Sequence, residues 1–412
     1  MTSSEINHNT IVIFTSIFPF GNGEPFLETE INYLAERFEK VIIVTQNIED
    51  LKPRQVPANC EIKRIDLAVS GLEKIGAISG LFDSKFWKEH KIIKSVYNKK
   101  PNKGIISTML ISLFRANKIA RYAKTLYRDN QQNLKLIFYS YWSDDTAIAL
   151  ALLKKKNRKL KVISRVHGWD VYFNVSQFNY LPFRSLICQN MDAIYSISKK
   201  GQTEISETWK QNLSNIFVSH LGVTSQVLKE APNKFKIVSC SNLISLKRVH
   251  LIIEALALLT SFSIEWIHFG DGQLFNRLKG QANNLPDNII VDWRGQVSNK
   301  DVFDFYKKNE VSCFINVSSS EGLPVSIMEA ISFGIPVIGT NVGGVSEIVN
   351  EDNGYLLSAN PTAQEIVSVI EKFQQLSNED KEKKRKAAYS TWENKFNAEK
   401  NYTQFVEDIL SL

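Results

Sequence analysis

The chain has 412 residues, of which 43% are hydrophobic and 23% charged, and its formal net charge is +7. This length allows two domains with a large core, and this composition excludes disordered, fibrous and low-complexity proteins. No apolar run approaches the roughly 18 residues that cross a membrane. The first ten residues also lack the basic and apolar parts of a signal peptide. We therefore expect a cytoplasmic protein.

The positive charge is concentrated in one region. Residues 51–200 carry 28 Lys and Arg against 10 Asp and Glu, so we expect an anionic partner there. The cysteines are far apart in sequence and form no C-x-x-C pair, which favours reduced structural thiols over disulfides or zinc ligands. They are Cys60, Cys188, Cys240 and Cys313.

The first predicted elements are a strand at 11–17, the loop FPFGNGEP and a helix with an apolar face. Gly21 and Gly23 lie in this loop, which lacks the third glycine of a dinucleotide fingerprint. The loop is therefore either a ligand-binding loop or a plain tight turn. Strand-like and helical runs then alternate, which predicts a doubly wound parallel sheet. The strands are predicted at 41–45, 136–139, 162–166 and 193–197, and the helices from about 105 and at 143–154.

Residues 71–103 interrupt this alternation with aromatic and aliphatic residues set among lysines, GLEKIGAISGLFDSKFWKEHKIIKSVYNKKPNK. A basic amphipathic segment of this kind can lie on an anionic membrane surface. The alternative is an ordinary helix whose apolar face packs on the sheet. The regional charge favours the membrane, so we expect a peripheral contact with the inner membrane face through residues 74–100.

The segment RVHGWD follows the strand predicted at 162–166. Ligands of open α/β sheets bind at the carboxyl ends of the strands. His167 is therefore a candidate for a ligand site, although a lone histidine is more often structural. Asp170 is expected either to hold this loop or to contact a substrate.

A second alternating set begins near residue 216 and predicts a second sheet domain. Lys247 and Arg248 are predicted to begin a helix at 247–260, where cations oppose the helix dipole unless an anion lies between. Gly295 follows a strand and is expected at the same sheet edge. The other strands are predicted at 235–239, 264–269 and 289–292, and the other helices at 273–284 and near 299–308.

The last strong pattern is a strand at 311–317, the loop SSSEGLP, a helix at about 324–333 and a strand at 335–339. Pro324 suits the first helical position and Gly334 the position after the helix. The helix start is a seat for phosphate. Glu321 and Glu329 are then better suited to accept hydrogen bonds from ligand hydroxyls, as in a ribose site, although each alone is also compatible with an ordinary surface carboxylate.

The run EGLPVSIMEAISFGIPVI followed by GGVSEIV resembles the E-x7-E motif of glycosyltransferase family 4. The resemblance implies a retaining, metal-independent enzyme of the GT-B fold, with two Rossmann-like domains facing each other across a cleft and a last helix that crosses back to the first domain. We accordingly predict an acceptor domain at 1–216, a nucleotide-sugar domain at 217–390 and a returning helix at 391–412. No metal or other cofactor is implied, since the nucleotide diphosphate sugar is a co-substrate.

The resemblance also implies roles for individual residues. Catalysis is expected from His167 and Glu321, and acceptor binding from Gly21 and Asp170. Lys247 is expected to bind the donor diphosphate, with Arg248 as a second charge, because Asn242 stands where the family usually has an arginine. The other donor-binding residues are predicted to be Gly23, Asn242, Gly295, Gly322, Leu323, Pro324, Val325, Ser326 and Glu329.

The resulting prediction is a retaining transfer of a sugar from a UDP- or GDP-sugar to a glycan or lipid-diphosphate-linked acceptor of a bacterial capsule, exopolysaccharide or lipopolysaccharide. Two alternatives remain. One is a nucleotide-sugar 2-epimerase of the same fold, and the other is a catalytically silent partner subunit, for which Asn242 is the one supporting feature. No motif for nucleic acid binding is present.

Overall fold

A computed structural model describes residues 7–21, 23–46, 49, 51–130, 135–230 and 234–412, without the side chains at 7, 8, 72, 74 and 75. The chain divides into two compact units. The first comprises Met1–Leu221 together with Tyr402–Leu412, and the second comprises Gly222–Asn401. The predicted domain boundary, after residue 216, falls inside the last strand of the first unit.

The first unit is built on a parallel sheet with the strand order β3-β2-β1-β4-β5-β6-β7. Most of its strands are short apolar runs that are buried on both faces, as parallel strands flanked by helices are. These strands are β1 (Asn7–Thr15), β2 (Phe38–Thr45), β3 (Cys60–Arg64), β4 (Lys135–Ser140), β5 (Lys161–Val166), β6 (Ala193–Ser196) and β7 (Ile216–Val218).

Helices alternate with these strands and cover the sheet. They are α1 (Leu27–Arg37), α2 (Leu72–Ile78), α3 (Ser84–Ser95), α4 (Lys103–Asp129), α5 (Asp145–Lys156), α6 (Arg184–Asn190) and α7 (Lys199–Glu207). Among the described helices of the whole chain, none is both long and apolar enough to cross a membrane.

The second unit has its own parallel sheet, with the order β10-β9-β8-β11-β12-β13. Its strands are β8 (Lys236–Cys240), β9 (Ile264–Phe269), β10 (Ile289–Trp293), β11 (Cys313–Asn316), β12 (Val337–Thr340) and β13 (Gly354–Leu357). Its helices are α8 (His250–Leu256), α9 (Phe275–Ala282), α10 (Asn299–Lys308), α11 (Val325–Ser332), α12 (Val345–Ile348), α13 (Ala363–Gln374) and α14 (Asn378–Lys395).

The last helix, α15 (Ala398–Leu410), returns the chain to the first unit. Phe405, Val406 and Ile409 are buried in the core cluster formed by β1, β2 and β4. Arg165 of β5 is fully buried, with its guanidinium carbon 4.0 Å from the Phe405 ring centroid and its Nη1 3.1 Å from an oxygen of Glu30. The strand that leads into His167 is thus anchored to both α1 and the chain terminus.

Candidate active site

Loops at the carboxyl ends of the second sheet contact one another through their backbones. The N–H of Leu243 donates to the carbonyl oxygen of Asp271 at 2.9 Å, and the N–H of Gly270 donates to that of Gly295 at 2.8 Å. Gly270 has a φ of +129°, and a Cβ on it would lie 2.0 Å from the carbonyl oxygen of Ser241. The segments that contain Asn242 and Gly295 therefore adjoin, with the Asn242 side chain exposed.

Lys247 and Glu321 form an ion pair at this edge. Lys247 Nζ lies 2.6 Å from Glu321 Oε1, and the side-chain amide of Asn316 donates to the same oxygen at 3.2 Å. The Glu321 side chain is only 10% exposed and that of Lys247 21%. Two residues that are 74 positions apart are thereby placed together at the ends of β8 and β11.

Arg248 faces backbone carbonyl groups. Its Nε donates to the carbonyl oxygen of Val317 at 2.7 Å, and its Nη2 donates to those of Ser318 at 2.8 Å and Ala359 at 2.9 Å. Arg248 has a φ of +48°, so the prediction that it begins a helix is wrong, since helix α8 begins at His250. These contacts support a role in holding the Glu321 loop, while its contact with the donor remains a prediction.

The loop Gly322-Leu323-Pro324 leads into α11. Pro324 has an extended ψ of 115° and precedes the helix, whereas it was predicted at the first helical position. Gly334 follows the helix with a φ of +70°, as its position predicted. The N–H groups of Val325 and Ser326 lie in the first turn, where no preceding carbonyl can accept from them. This end of α11 can therefore bind an anion.

Glu329 lies one turn into the same helix and is 9% exposed. Burial raises the pKa of its carboxyl to about 7, against the opposing effect of a hydrogen bond from the Asn299 amide, which donates to Oε1 at 2.5 Å. Asn299, at the start of α10, was not predicted as a site residue, because only the fold brings it to α11. A carboxyl with this pKa can accept hydrogen bonds from hydroxyl groups at neutral pH.

Two glycines after β12 hold the Glu321 loop in place. The N–H of Gly344 donates to the carbonyl oxygen of Gly322 at 2.7 Å. Gly343 has a φ of +52°, and a Cβ on it would lie 1.7 Å from the carbonyl oxygen of Glu321. The site therefore depends on a loop-to-loop contact that only glycine permits.

In the first unit, Asp170 holds the loop that carries His167. Its Oδ1 accepts from the N–H groups of His167 at 2.8 Å and Gly168 at 3.0 Å, and its Oδ2 accepts from the N–H of Ser143 at 3.0 Å. Burial alone would raise the pKa of Asp170, but contacts with His167 and Ser143 outweigh it and lower the pKa. Of the two predicted roles, these contacts support holding the loop; acceptor binding by Asp170 remains a prediction.

The imidazole of His167 is packed between aromatic rings. Its centroid lies 4.6 Å from that of Tyr141 and 4.3 Å from that of Trp142. Its Nδ1 lies 3.8 Å from Asp170 Oδ2. Neither ring nitrogen has a hydrogen-bond partner in the described part of the chain, although both are buried. The ring is thus held in place by Tyr141 and Trp142, with Asp170 beside its Nδ1.

The loop with Gly21 and Gly23 is organised by Glu24, which was not predicted as a site residue. Its Oε1 accepts from the N–H of Ser16 at 2.8 Å and from the Trp142 indole N–H at 2.7 Å. Its Oε2 accepts from two further backbone N–H groups, those of residues 17 and 18. Because Trp142 also packs on His167, this carboxylate connects the first loop to the histidine. A buried carboxylate shared by a loop backbone and an indole leaves no local sequence pattern.

Comparisons with known proteins agree with this architecture. Residues 223–391 match the family model "Glycosyl transferases group 1". The N-acetyl-alpha-D-glucosaminyl L-malate synthase of Bacillus anthracis is 23% identical over 306 residues, which are 70% of this chain and 76% of that protein. The O-antigen biosynthesis glycosyltransferase WbnH of Escherichia coli is 27% identical over 210 residues, 48% of this chain, and the match spans only 56% of WbnH.

Among solved structures, Anabaena Alr3699/HepE in complex with UDP and glucose matches with a TM-score of 0.66 and 16% identity, over 98% of this chain and 100% of that one. This likeness shows the fold, which is GT-B, as predicted. The match at 223–391 and the two relatives, in turn, indicate a glycosyltransferase whose second unit carries the group 1 match.

Proposed function

We propose that the protein is a retaining glycosyltransferase that moves a sugar from a UDP- or GDP-sugar to a glycan or lipid-linked glycan acceptor in bacterial polysaccharide synthesis. The observation that carries the proposal is the Lys247–Glu321 pair beside the start of α11, with Glu329 in the same helix. The biosynthetic setting is suggested by the O-antigen relative WbnH, and UDP by the ligand of Alr3699/HepE.

The second unit would bind the donor. Lys247 and the N–H groups of Val325 and Ser326 would face the diphosphate and stabilise the charge that develops as it leaves. Glu329 would accept hydrogen bonds from the ribose hydroxyls. Glu321 would then exchange its contact with Lys247 for the hydroxyls of the transferred sugar. The positive and N–H groups would thus face the diphosphate, and the two carboxylates would face the hydroxyls of the ribose and of the transferred sugar.

The first unit would contribute His167 and the loop of Gly21 and Gly23. An imidazole nitrogen without a protein partner can donate to or accept from a sugar hydroxyl, and Asp170 keeps the loop in position. Retention without a protein nucleophile requires the acceptor oxygen to attack the anomeric carbon from the same face as the one from which the phosphate departs. The bond from the anomeric carbon to the phosphate oxygen breaks, the bond to the acceptor oxygen forms, and the acceptor proton passes to the departing phosphate.

Thermal unfolding with UDP, GDP, ADP and NAD tests this proposal. A ligand at about 100 times its dissociation constant stabilises the folded state by about 2.7 kcal/mol. We expect one nucleoside diphosphate to raise the unfolding midpoint of the wild type but not that of Glu329→Ala. A shift with NAD alone would contradict the proposal, and no shift with any ligand would favour a catalytically silent subunit.

We further propose that residues 74–100 contact an anionic membrane. The apolar side chains of Phe86 and Ile93 pack in the core, so α3 is partly an ordinary surface helix. Large apolar side chains nevertheless remain exposed beside the lysines of this segment, with Phe82 93% exposed, Trp87 54% and Ile78 53%. Exposed aromatics among lysines are typical of segments that bind membrane interfaces.

Cosedimentation with vesicles tests this contact. We expect the protein to pellet with vesicles that contain phosphatidylglycerol and to remain in solution with pure phosphatidylcholine, because lysines near the surface act on the anionic lipid. The variant Phe82→Asp should weaken the association. Equal pelleting with both vesicle types, or no effect of Phe82→Asp, would contradict it.

A further inference from the structure

A cavity of about 520 Å³ lies in the second unit. Its lining includes residues at the start of the strands, among them Phe235 before β8, Ile264 at the start of β9 and Ser312 before β11. In a parallel sheet all strands begin at one edge and end at the other. The cavity is therefore at the opposite edge from Lys247 and Glu321, and it is separate from the proposed donor site.

One side of the cavity is aromatic. The ring centroid of Phe235 lies 5.5 Å from that of Phe262 and 6.1 Å from that of Phe373, both in edge-to-face arrangements. Ile290, which also lines the cavity, is 63% exposed. A planar apolar group could be buried against these side chains. A cavity of this volume is within the range of small-molecule sites.

The charged side chains of the lining are mostly cationic. It includes Lys234, Lys381 and Arg385, against the single carboxylate of Glu265. Glu265 already pairs with Lys236, whose Nζ lies 3.3 Å away. The cavity thus combines an aromatic wall with an excess of positive charge, which suits a ligand that is apolar at one end and anionic at the other.

Arg385 gives this charge a fixed position. It is 1% exposed; its Nε donates to the carbonyl oxygen of Lys229 at 2.7 Å and its Nη1 to that of Val311 at 2.8 Å. Its Nη2 is buried and has no hydrogen-bond partner in the described part of the chain. Burial lowers the pKa of Arg385 to about 10, and the carboxylates of Glu382 and Glu310 oppose this only partly. A buried guanidinium nitrogen without an acceptor is costly unless a ligand supplies one.

We propose that this cavity is a second ligand site, for a small molecule with a planar apolar part and a carboxylate, phosphate or sulfonate group. The planar part would pack on Phe235 and Phe262. The anionic group would face Lys234, Lys381 and Arg385. Because the cavity is at the edge of the sheet away from the donor loops, its ligand is an effector rather than a substrate.

Titration with 8-anilinonaphthalene-1-sulfonate, an aromatic anion that fluoresces when it leaves water, tests this site. We expect one saturable site per chain in the wild type. The double variant Lys234→Glu/Lys381→Glu should bind at least about tenfold more weakly, because the charge near the sulfonate is reversed. Lys386→Glu makes the same charge change at an exposed position of α14 outside the cavity lining, and it should bind like the wild type.

Two further variants locate the probe. Ser263→Trp places a large ring at the exposed rim of the cavity and should abolish the saturable site, whereas Lys247→Ala should leave it unchanged. Unfolding midpoints close to that of the wild type will show that the rim variants fold. Three results would each overturn the proposal. The wild type could show no saturable site, the double variant and Ser263→Trp could both bind the probe with the wild-type affinity, or Phe82→Asp could lose the site.

Discussion

Lys247 Nζ and Glu321 Oε1 lie 2.6 Å apart, so the cation expected to bind the donor diphosphate is held by the carboxylate expected to contact the donor sugar. The pair is only partly exposed, so each charge lowers the cost of burying the other. Binding of a diphosphate would offer Lys247 a second anion. The opposite charges of Lys247 and Glu321 offset each other, and we expect the donor to rearrange this existing contact.

The first prediction concerns Lys247→Ala. The variant should lose a charge-assisted hydrogen bond to the diphosphate, which contributes about 1.5–3 kcal/mol. We expect donor affinity to fall by about tenfold to a hundredfold, as measured by titration calorimetry with the nucleoside diphosphate that stabilises the wild type. Lys300→Ala is the control, because that lysine is 81% exposed and pairs with Asp304 on the same helix. Unchanged affinity in Lys247→Ala would remove it from the diphosphate site.

The second prediction concerns the pH dependence of Glu329→Gln. The pKa of Glu329 is about 7 in the fold, against an ordinary value of 4.5. Between these pH values the folded state therefore binds more protons than the unfolded state. The free energy of unfolding consequently falls as the pH rises through this window. Glu329→Gln removes that loss. We expect the ligand-free variant to be more stable than the wild type at pH 8, by up to about 3 kcal/mol, and equally stable below pH 4.5.

Denaturant unfolding at pH 5, 6, 7 and 8 measures this difference. Glu254→Gln, a change at an exposed position of α8, should give a difference from the wild type that does not vary with pH. Donor affinity of Glu329→Gln should fall, because a neutral amide accepts hydrogen bonds from hydroxyls less strongly than a carboxylate. A pH-independent difference for Glu329→Gln would show that this carboxyl does not titrate in that window.

The third prediction compares two glycines of the second unit. Gly343→Ala should both destabilise the protein and weaken donor binding. Residue 343 has a left-handed backbone, and the new Cβ would displace the Glu321 loop. Gly280→Ala is the matched control: a Cβ there meets nothing within 4 Å. Since Gly280 lies in α9, that change should stabilise by about 0.5–1 kcal/mol. Thermal unfolding and calorimetry measure both effects, and the same response at both positions would contradict the loop contact.

The fourth prediction concerns Asp170→Asn. The amide keeps one acceptor oxygen, so at least one buried N–H group of the loop loses its partner, at a cost of about 1–3 kcal/mol. The low pKa of Asp170 means that its contribution is present at neutral pH and is lost as the pH falls below about 4. We therefore expect Asp170→Asn to be less stable at pH 7, with a smaller difference near pH 3. Asp129→Asn, at an exposed position, should unfold like the wild type at both values.

Much of the fold follows from local patterns. Short apolar runs predicted both ends of β4, β5 and β9 to within one residue, because buried parallel strands are continuously apolar. Gly334 marked the end of α11 through its left-handed conformation. By contrast, β3 has the sequence CEIKR and is only half buried, so its composition did not separate it from a loop.

The site was less predictable, because its contacts join distant segments. Lys247 and Glu321 were each predicted as site residues from separate motifs, but their pairing depends on the order of β8 and β11 in the sheet. Arg248 was expected near an anion, and its left-handed backbone, which turns the guanidinium toward carbonyl groups, was not visible in the sequence. Glu24 and Asn299 act through hydrogen bonds to other segments, and no spacing rule predicts these bonds.

Trp142 gives the first unit a built-in optical reporter. Its indole donates to Glu24 and lies 4.3 Å from the His167 ring, so its emission should respond to any sugar that contacts the imidazole. The chain has seven tryptophans, and the difference between the spectra of the wild type and Trp142→Phe isolates this one. Acceptor analogues can then be ranked by fluorescence alone, without turnover and before the transferred sugar is known.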